Sequence, residues 1–170
     1  MSNSLNKIPI QHRANRKILS LIAIGLLRLS NWRINGNIPD FPKVIAIGAP
    51  HSAYIDAYYV LLAVLALDVK VKFLAAQWVF SHLPISSQKN DKDDLDNFGV
   101  RWPFGWLQRI IVNRLGGIPV TRTRSTGLVN SLIERLQKMN HFVLMLAPEG
   151  GMLPQKSFKT GFYIISKNLD

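Results

Sequence analysis

Three short apolar runs, at 44–47, 69–75 and 141–147, sit among longer stretches with helical spacing, and this alternation limits the chain more than any other feature. Runs of roughly four to eight apolar residues bounded by Gly, Pro or polar residues read as buried strands, and longer ones as helices. Alternating strands and helices predict an α/β fold with a mostly parallel central sheet flanked by helices. The order strand 44–47, helix 56–67, strand 69–75 predicts a right-handed parallel βαβ unit. Further helices are expected at 13–30, from 102 through 115, at 125–139 with Ser125 as its cap, and at 161–167. A short strand is expected from Ile118 into a loop at Arg124. Trp32-Arg33-Ile34-Asn35-Gly36 alternates and ends in turn residues, which predicts an edge strand. Residues 1–11 are polar and expected to be loosely held. The region 77–101 is the least regular. Four of the chain's ten acids, Asp91, Asp93, Asp94 and Asp96, collect there. It reads as a solvated loop, with a lid as the functional alternative.

Between the run at 44–47 and the helix after it, the chain reads Ala49-Pro50-His51-Ser52-Ala53-Tyr54-Ile55-Asp56. In a continuous helix the side chains of His51 and Asp56 would stand about 140° apart, too far round the axis to touch. A loop that puts His51 before the helix and Asp56 in its first turn lets them meet. An imidazole held by a carboxylate on its second nitrogen is a general base of fixed tautomer and orientation. The structural alternative is that Asp56 only caps the helix, accepting backbone N–H groups at the positive end of its dipole.

Two other strand ends carry polar sets. Alternate residues of an extended segment share a face, so Arg122 and Arg124 point the same way. Paired guanidinium groups suit a phosphate, which Arg grips with two hydrogen bonds, although two ordinary surface arginines would look the same. The run at 141–147 ends in Pro148-Glu149-Gly150-Gly151, with Glu149 as the acid at that end. Open α/β sheets bind ligands beyond the carboxyl ends of their strands, so the three sets are expected to converge.

Composition narrows the chemistry. With 170 residues, 48% of them hydrophobic, the chain is long enough for one domain that buries most of its apolar surface. The absence of cysteine excludes disulfides, thiolate metal sites and a cysteine nucleophile. His12, His51, His82 and His141 show no ligand spacing, so no metal is expected. The formal net charge is +11, and the first 39 residues hold no acid while carrying Lys7, Arg13, Arg16, Lys17, Arg28 and Arg33. The apolar segment 18–27 inside that arm falls short of the roughly 20 residues needed to span a bilayer. Basic flanks around a short apolar helix suit a segment lying in an anionic leaflet; a core helix or a secretory signal are the competing readings, and no small-residue cleavage site follows. Trp102, Phe104 and Trp106 read as core, as the lining of an acyl-chain channel, or as rings at a membrane lip.

In order and spacing these sets resemble the 1-acylglycerol-3-phosphate acyltransferase family of glycerolipid and lysophospholipid acyltransferases. His51 and Asp56 match its His-x4-Asp block, and Gly116-Gly117-Ile118-Pro119-Val120-Thr121-Arg122 matches its Gly-x-Ile-Pro-Val-x-Arg block. Pro148-Glu149-Gly150-Gly151-Met152 matches part of its Pro-Glu-Gly-Thr-Arg block, with Phe158-Lys159-Thr160-Gly161 following as in many members. The resemblance covers residues 32–167 and implies an acyltransferase domain at 32–170 after a basic apolar helical arm at 1–31, which is expected to associate with membrane. Two departures stand out. Met152 replaces the family's usual Arg, which leaves the acceptor's phosphate to Arg122 and its neighbours, and the family's last strand is expected to be missing after Asp170.

The resemblance implies transfer of a fatty acyl group from acyl-CoA or acyl carrier protein to a hydroxyl of a lysophospholipid such as 1-acylglycerol-3-phosphate. It makes His51 and Asp56 catalytic and assigns Arg122, Arg124, Glu149, Gly150 and Lys159 to substrate binding. The implied partners are anionic membrane lipids, the acyl thioester donor and the lysophospholipid acceptor, with no cofactor besides the donor and no nucleic acid. The implied location is peripheral or monotopic on the cytoplasmic face of a membrane. The alternatives are a catalytically inactive lipid-binding relative and a basic nucleic-acid-binding protein, for which no recognition motif is visible.

Overall fold

The computed structural model describes residues 8–36, 38–49, 54–83, 99–120, 127–149 and 157–169, with backbone alone for Tyr54 and Leu128. The elements among them are α1 Lys17–Leu29, β1 Lys43–Ile47, α2 Tyr54–Ala66, β2 Val71–Ala76, β3 His82–Leu83, β4 Val100–Arg101, α3 Gly105–Leu115, β5 Gly117–Val120, α4 Leu128–Gln137, β6 Phe142–Leu146 and α5 Gly161–Lys167. The fold is α/β, with a mostly parallel four-stranded sheet flanked by helices, and β3 and β4 pair antiparallel. The described residues group into two compact units, one within Met1–Val71 and Met139–Thr160, the other within Lys72–Lys138 and Gly161–Asp170.

In the first unit β1 runs parallel to β6, from Lys43 opposite Phe142 to Ile47 opposite Leu146. The strand beside β1 is β6, which lies about a hundred positions further along the chain. A parallel strand covered on both faces is apolar throughout. Phe142, Val143 and Leu144 are all buried, whereas Lys43 and Ile47 at the two ends of β1 are exposed.

Helices α1 and α2 pack on each other through Ala23 and Leu27 of one and Leu62 and Ala66 of the other. The two alanines let the backbones approach, and the Ser20 hydroxyl donates to the Ala66 carbonyl at 2.9 Å, satisfying one of the orphan acceptors at the end of α2. The expected start of α1 at Arg13 moves to Lys17. Arg13 bridges antiparallel to Val69, and Asn15 sits at φ 58°. Asp68, itself left-handed at φ 54°, accepts the Arg16 N–H at 2.7 Å and so caps α1 from across the unit.

Two other expectations change. The segment at 8–12 is anchored rather than loose. Ile8 is buried, residues Ile10–His12 form a 3-10 turn, and His12 is 1% exposed, its Nε2–H donating to the Phe41 carbonyl at 2.7 Å. A carbonyl can only accept, so this bond fixes the tautomer. No strand forms at 32–36. Trp32 stacks on Tyr59 with centroids 4.4 Å apart, and Gly36 turns the chain at φ 111°. Alternation supplied two faces there without a neighbouring strand to bond to.

The outer surface of α1 is unusual. At about 100° per residue, Ile18, Leu19, Leu21, Ile22, Leu26 and Leu29 fall within an arc of about 160°. All six are exposed, Leu29 by 85%, Ile18 by 76% and Leu21 by 70%.

In the second unit β2 runs parallel to β5, with Phe73 opposite Gly117 and Ala76 opposite Val120. A 3-10 turn at Gln77–Phe80 leads into β3, and α3 packs against that turn. The Gln108 amide ties these pieces together, donating to Val79 O at 2.8 Å and His82 O at 3.0 Å while its Oε1 accepts from Trp102 Nε1 at 2.6 Å. Gly117 is required by close approach, because a Cβ there would meet Val112 Cγ1 at 2.6 Å. Helix α4 buries Leu132, Ile133 and Leu136 and packs on α5. Ser125 lies outside the described residues, and the residue at the N-cap of α4 is Gly127, at φ 98° with no side-chain bond. Helix α5 spans the residues that apolar spacing predicts.

Candidate functional site

The carboxyl ends of β1 and β6 lie side by side, since Ile47 and Leu146 are paired and the Gly48 N–H continues the ladder by donating to Leu146 O at 3.0 Å. From this common edge two loops depart. One runs from Gly48 toward α2, and Asp56 occupies the first turn of that helix, half-buried. The other is Ala147-Pro148-Glu149, in which Pro148 and Glu149 are both buried.

Glu149 is 9% exposed. Acids are seldom buried this far unless the surroundings hold them, which sets Glu149 apart from an ordinary loop carboxylate. Lys159 is brought to the same loop by its backbone, its N–H donating to the Pro148 carbonyl at 2.9 Å, while its side chain is exposed. Phe158-Lys159 is therefore not a distant segment but the flank of the Pro148-Glu149 turn. Asp56 sits where a helix's unsatisfied N–H groups and dipole favour a carboxylate.

His51, Arg122, Arg124 and Gly150 lie outside the described residues, as do Met152 and the acid-rich stretch at 91–96. By chain connectivity His51 belongs to the link between Ala49 and the first turn of α2. Among the described residues no cluster of His, Asp or Glu could hold a metal ion, and no helix is long and apolar enough to cross a membrane.

Sequence reasoning passed over His12 and Gln108. His12 counted only as a histidine without ligand spacing; the apolar Ile8 near it, which is buried, was the available sign that this segment docks. Gln108 gave no sign, because its three partners come from segments its own spacing does not reveal. Comparison with protein-family models, with curated proteins and with solved structures finds no match.

Proposed function

We propose that the chain is a membrane-peripheral acyltransferase of the 1-acylglycerol-3-phosphate acyltransferase kind, moving a fatty acyl group from an acyl thioester to a lysophospholipid hydroxyl. The observation that supports it best is the β1–β6 pairing, by which the Gly48-Ala49 exit of β1 and the buried Glu149 turn leave one strand edge. In this reading His51 takes the proton of the acceptor hydroxyl as its oxygen attacks the thioester carbonyl, and Asp56 orients the ring and stabilises the imidazolium. The C–S bond breaks, the thiolate leaves, and His51 returns the proton to it. No covalent acyl-enzyme is involved. Arg122, helped by Arg124 or Lys159, holds the acceptor's anionic headgroup, and Glu149 orients its polyol or an Arg. The apolar outer arc of α1, bracketed by Arg16, Lys17, Arg28 and Arg33, rests on anionic lipid at the cytoplasmic face.

The test is thiol release from an acyl thioester, offered as acyl-CoA or acyl carrier protein, with a panel of lysolipids and the His51→Ala protein as control. Release that needs one acceptor, and that falls at least about a hundredfold in His51→Ala, is the expected result. Release that persists undiminished in folded His51→Ala removes the dyad. No release from any acceptor, with lysolipid binding retained, replaces this reading with that of an inactive lipid-binding protein; Met152 is the observation that favours it.

A further inference from the structure

From residue 97 to residue 133 the chain holds no acid, yet it carries Arg101, Arg109, Arg114, Arg122 and Arg124. Helix α3 lies inside this stretch, and its inward side is closely fitted. Gly105 is buried with room for no Cβ before Ser81 O at 3.0 Å, Gln108 bonds Val79 and His82, and Val112 abuts Gly117. The remaining side faces out and is largely apolar, with Arg109, Asn113 and Arg114 exposed on it. Phe104 just before the helix and Trp106, Leu107, Ile110 and Ile111 on it are exposed, Trp106 by 62%, and Arg101, Arg109 and Arg114 are exposed around them.

We infer that this face of α3 is an anionic-lipid contact of the second unit, separate from the arm at 1–31. A soluble surface has no use for two isoleucines, a leucine, a tryptophan and a phenylalanine together. Three occupants are conceivable, and charge and composition choose among them. A second copy of the chain would bring arginines against arginines with no acid nearby to offset them. Single-stranded nucleic acid would use the arginines and the rings, which can stack on bases, but gains nothing from Leu107, Ile110 and Ile111. An anionic leaflet uses all of them: the aliphatic side chains and the Trp106 ring enter the upper acyl region, Phe104 sits at headgroup level, and the guanidinium groups pair with lipid phosphate. The inference stands apart from acyl transfer and needs no catalysis to be tested.

The experiment uses the full chain with vesicles of phosphatidylcholine and phosphatidylglycerol in which the acyl chains are brominated, so that a tryptophan entering them is quenched. Comparison of the wild-type protein with Trp106→Phe isolates the contribution of this ring from Trp32, Trp78 and Trp102. The expected result is quenching that falls markedly in Trp106→Phe, and vesicle affinity reduced about a hundredfold in Ile110→Asn/Ile111→Asn, as fits two aliphatic side chains kept from lipid. Pure phosphatidylcholine should bind more weakly by a similar factor. Vesicle binding without quenching of Trp106 overturns the inference, as does no binding at all. Concentration-dependent dimerisation abolished by the double variant would hand the face to a second copy, and a gel shift with single-stranded RNA abolished by it would hand the face to nucleic acid. The quenching comparison still decides if the double variant fails to fold, because Trp106→Phe keeps an aromatic ring at an exposed position.

Discussion

Helices α1 and α4 both carry leucine and isoleucine at helical spacing, and they use them in opposite directions. Helix α4 turns Leu132, Ile133 and Leu136 inward and exposes Asn130, Ser131, Glu134, Arg135 and Gln137. Helix α1 turns Ser20, Ala23 and Leu27 toward α2 and leaves six larger aliphatic side chains outside. Spacing shows that a helix has a face; it does not show which way the face points. In α1 direction is decided by reach, since small residues let two helix backbones come close and a serine can bond a terminal carbonyl, while bulky residues hold partners apart. The surplus of large apolar residues is then left over for another surface.

The largest expected break of this contrast is Leu136→Ala. Leu136 is fully buried, at 0% exposure, and losing its side chain should cost about 2–5 kcal/mol, read as a lower midpoint in urea unfolding. Filling the α1–α2 seam by Ala23→Leu should cost about 1–3 kcal/mol, because the two helices must separate to admit it. Gly25→Ala acts in the other direction. An added Cβ there meets nothing within 4 Å and φ is not left-handed, so α1 should gain about 0.5–1 kcal/mol of stability, measured by the same unfolding curve. Leu21→Ser on the outer arc should change stability least, by about 0.5 kcal/mol or less, while reducing cosedimentation with anionic vesicles. If Leu21→Ser instead destabilised the fold like Leu136→Ala, the outer arc would be core after all and the contrast would collapse.

Apolar runs and their punctuation announced most of the secondary structure, because strand and helix periods are local properties of a chain. Residues 44–47, 142–146 and 161–167 show this, with the start of α1 shifting by a turn where Asn15 takes left-handed backbone. Strand order is not local. Nothing around Val44 says that Val143 will lie beside it, and the edge strand expected at Trp32 fails for the same reason, since pairing needs a partner that alternation cannot name. At the candidate site, the sequence pointed to loops after strands, and the β1–β6 register supports that placement for Asp56 and Glu149. The burial of Glu149 and the backbone bond from Lys159 depend on how distant segments fold back, which residue type and spacing do not encode.

The pairing of β1 with β6 also bears on the order in which the first unit can assemble. Lys43 and its partner Phe142 are separated by 99 positions, and contacts that distant form late because a long loop must close first. A nascent chain that has emerged as far as Lys138 can already dock α1 on α2 and fasten His12 and Asp68 across their ends, yet β1 has no neighbour. For that interval Val44-Ile45-Ala46-Ile47 is an unpaired apolar edge, open to pairing with another chain. Pulse-labelled hydrogen exchange during refolding should accordingly show the amides of α1 and α2 protected before those of β1, and β1 and β6 gaining protection in one phase. Simultaneous protection of all four would mean that the unit closes in a single step.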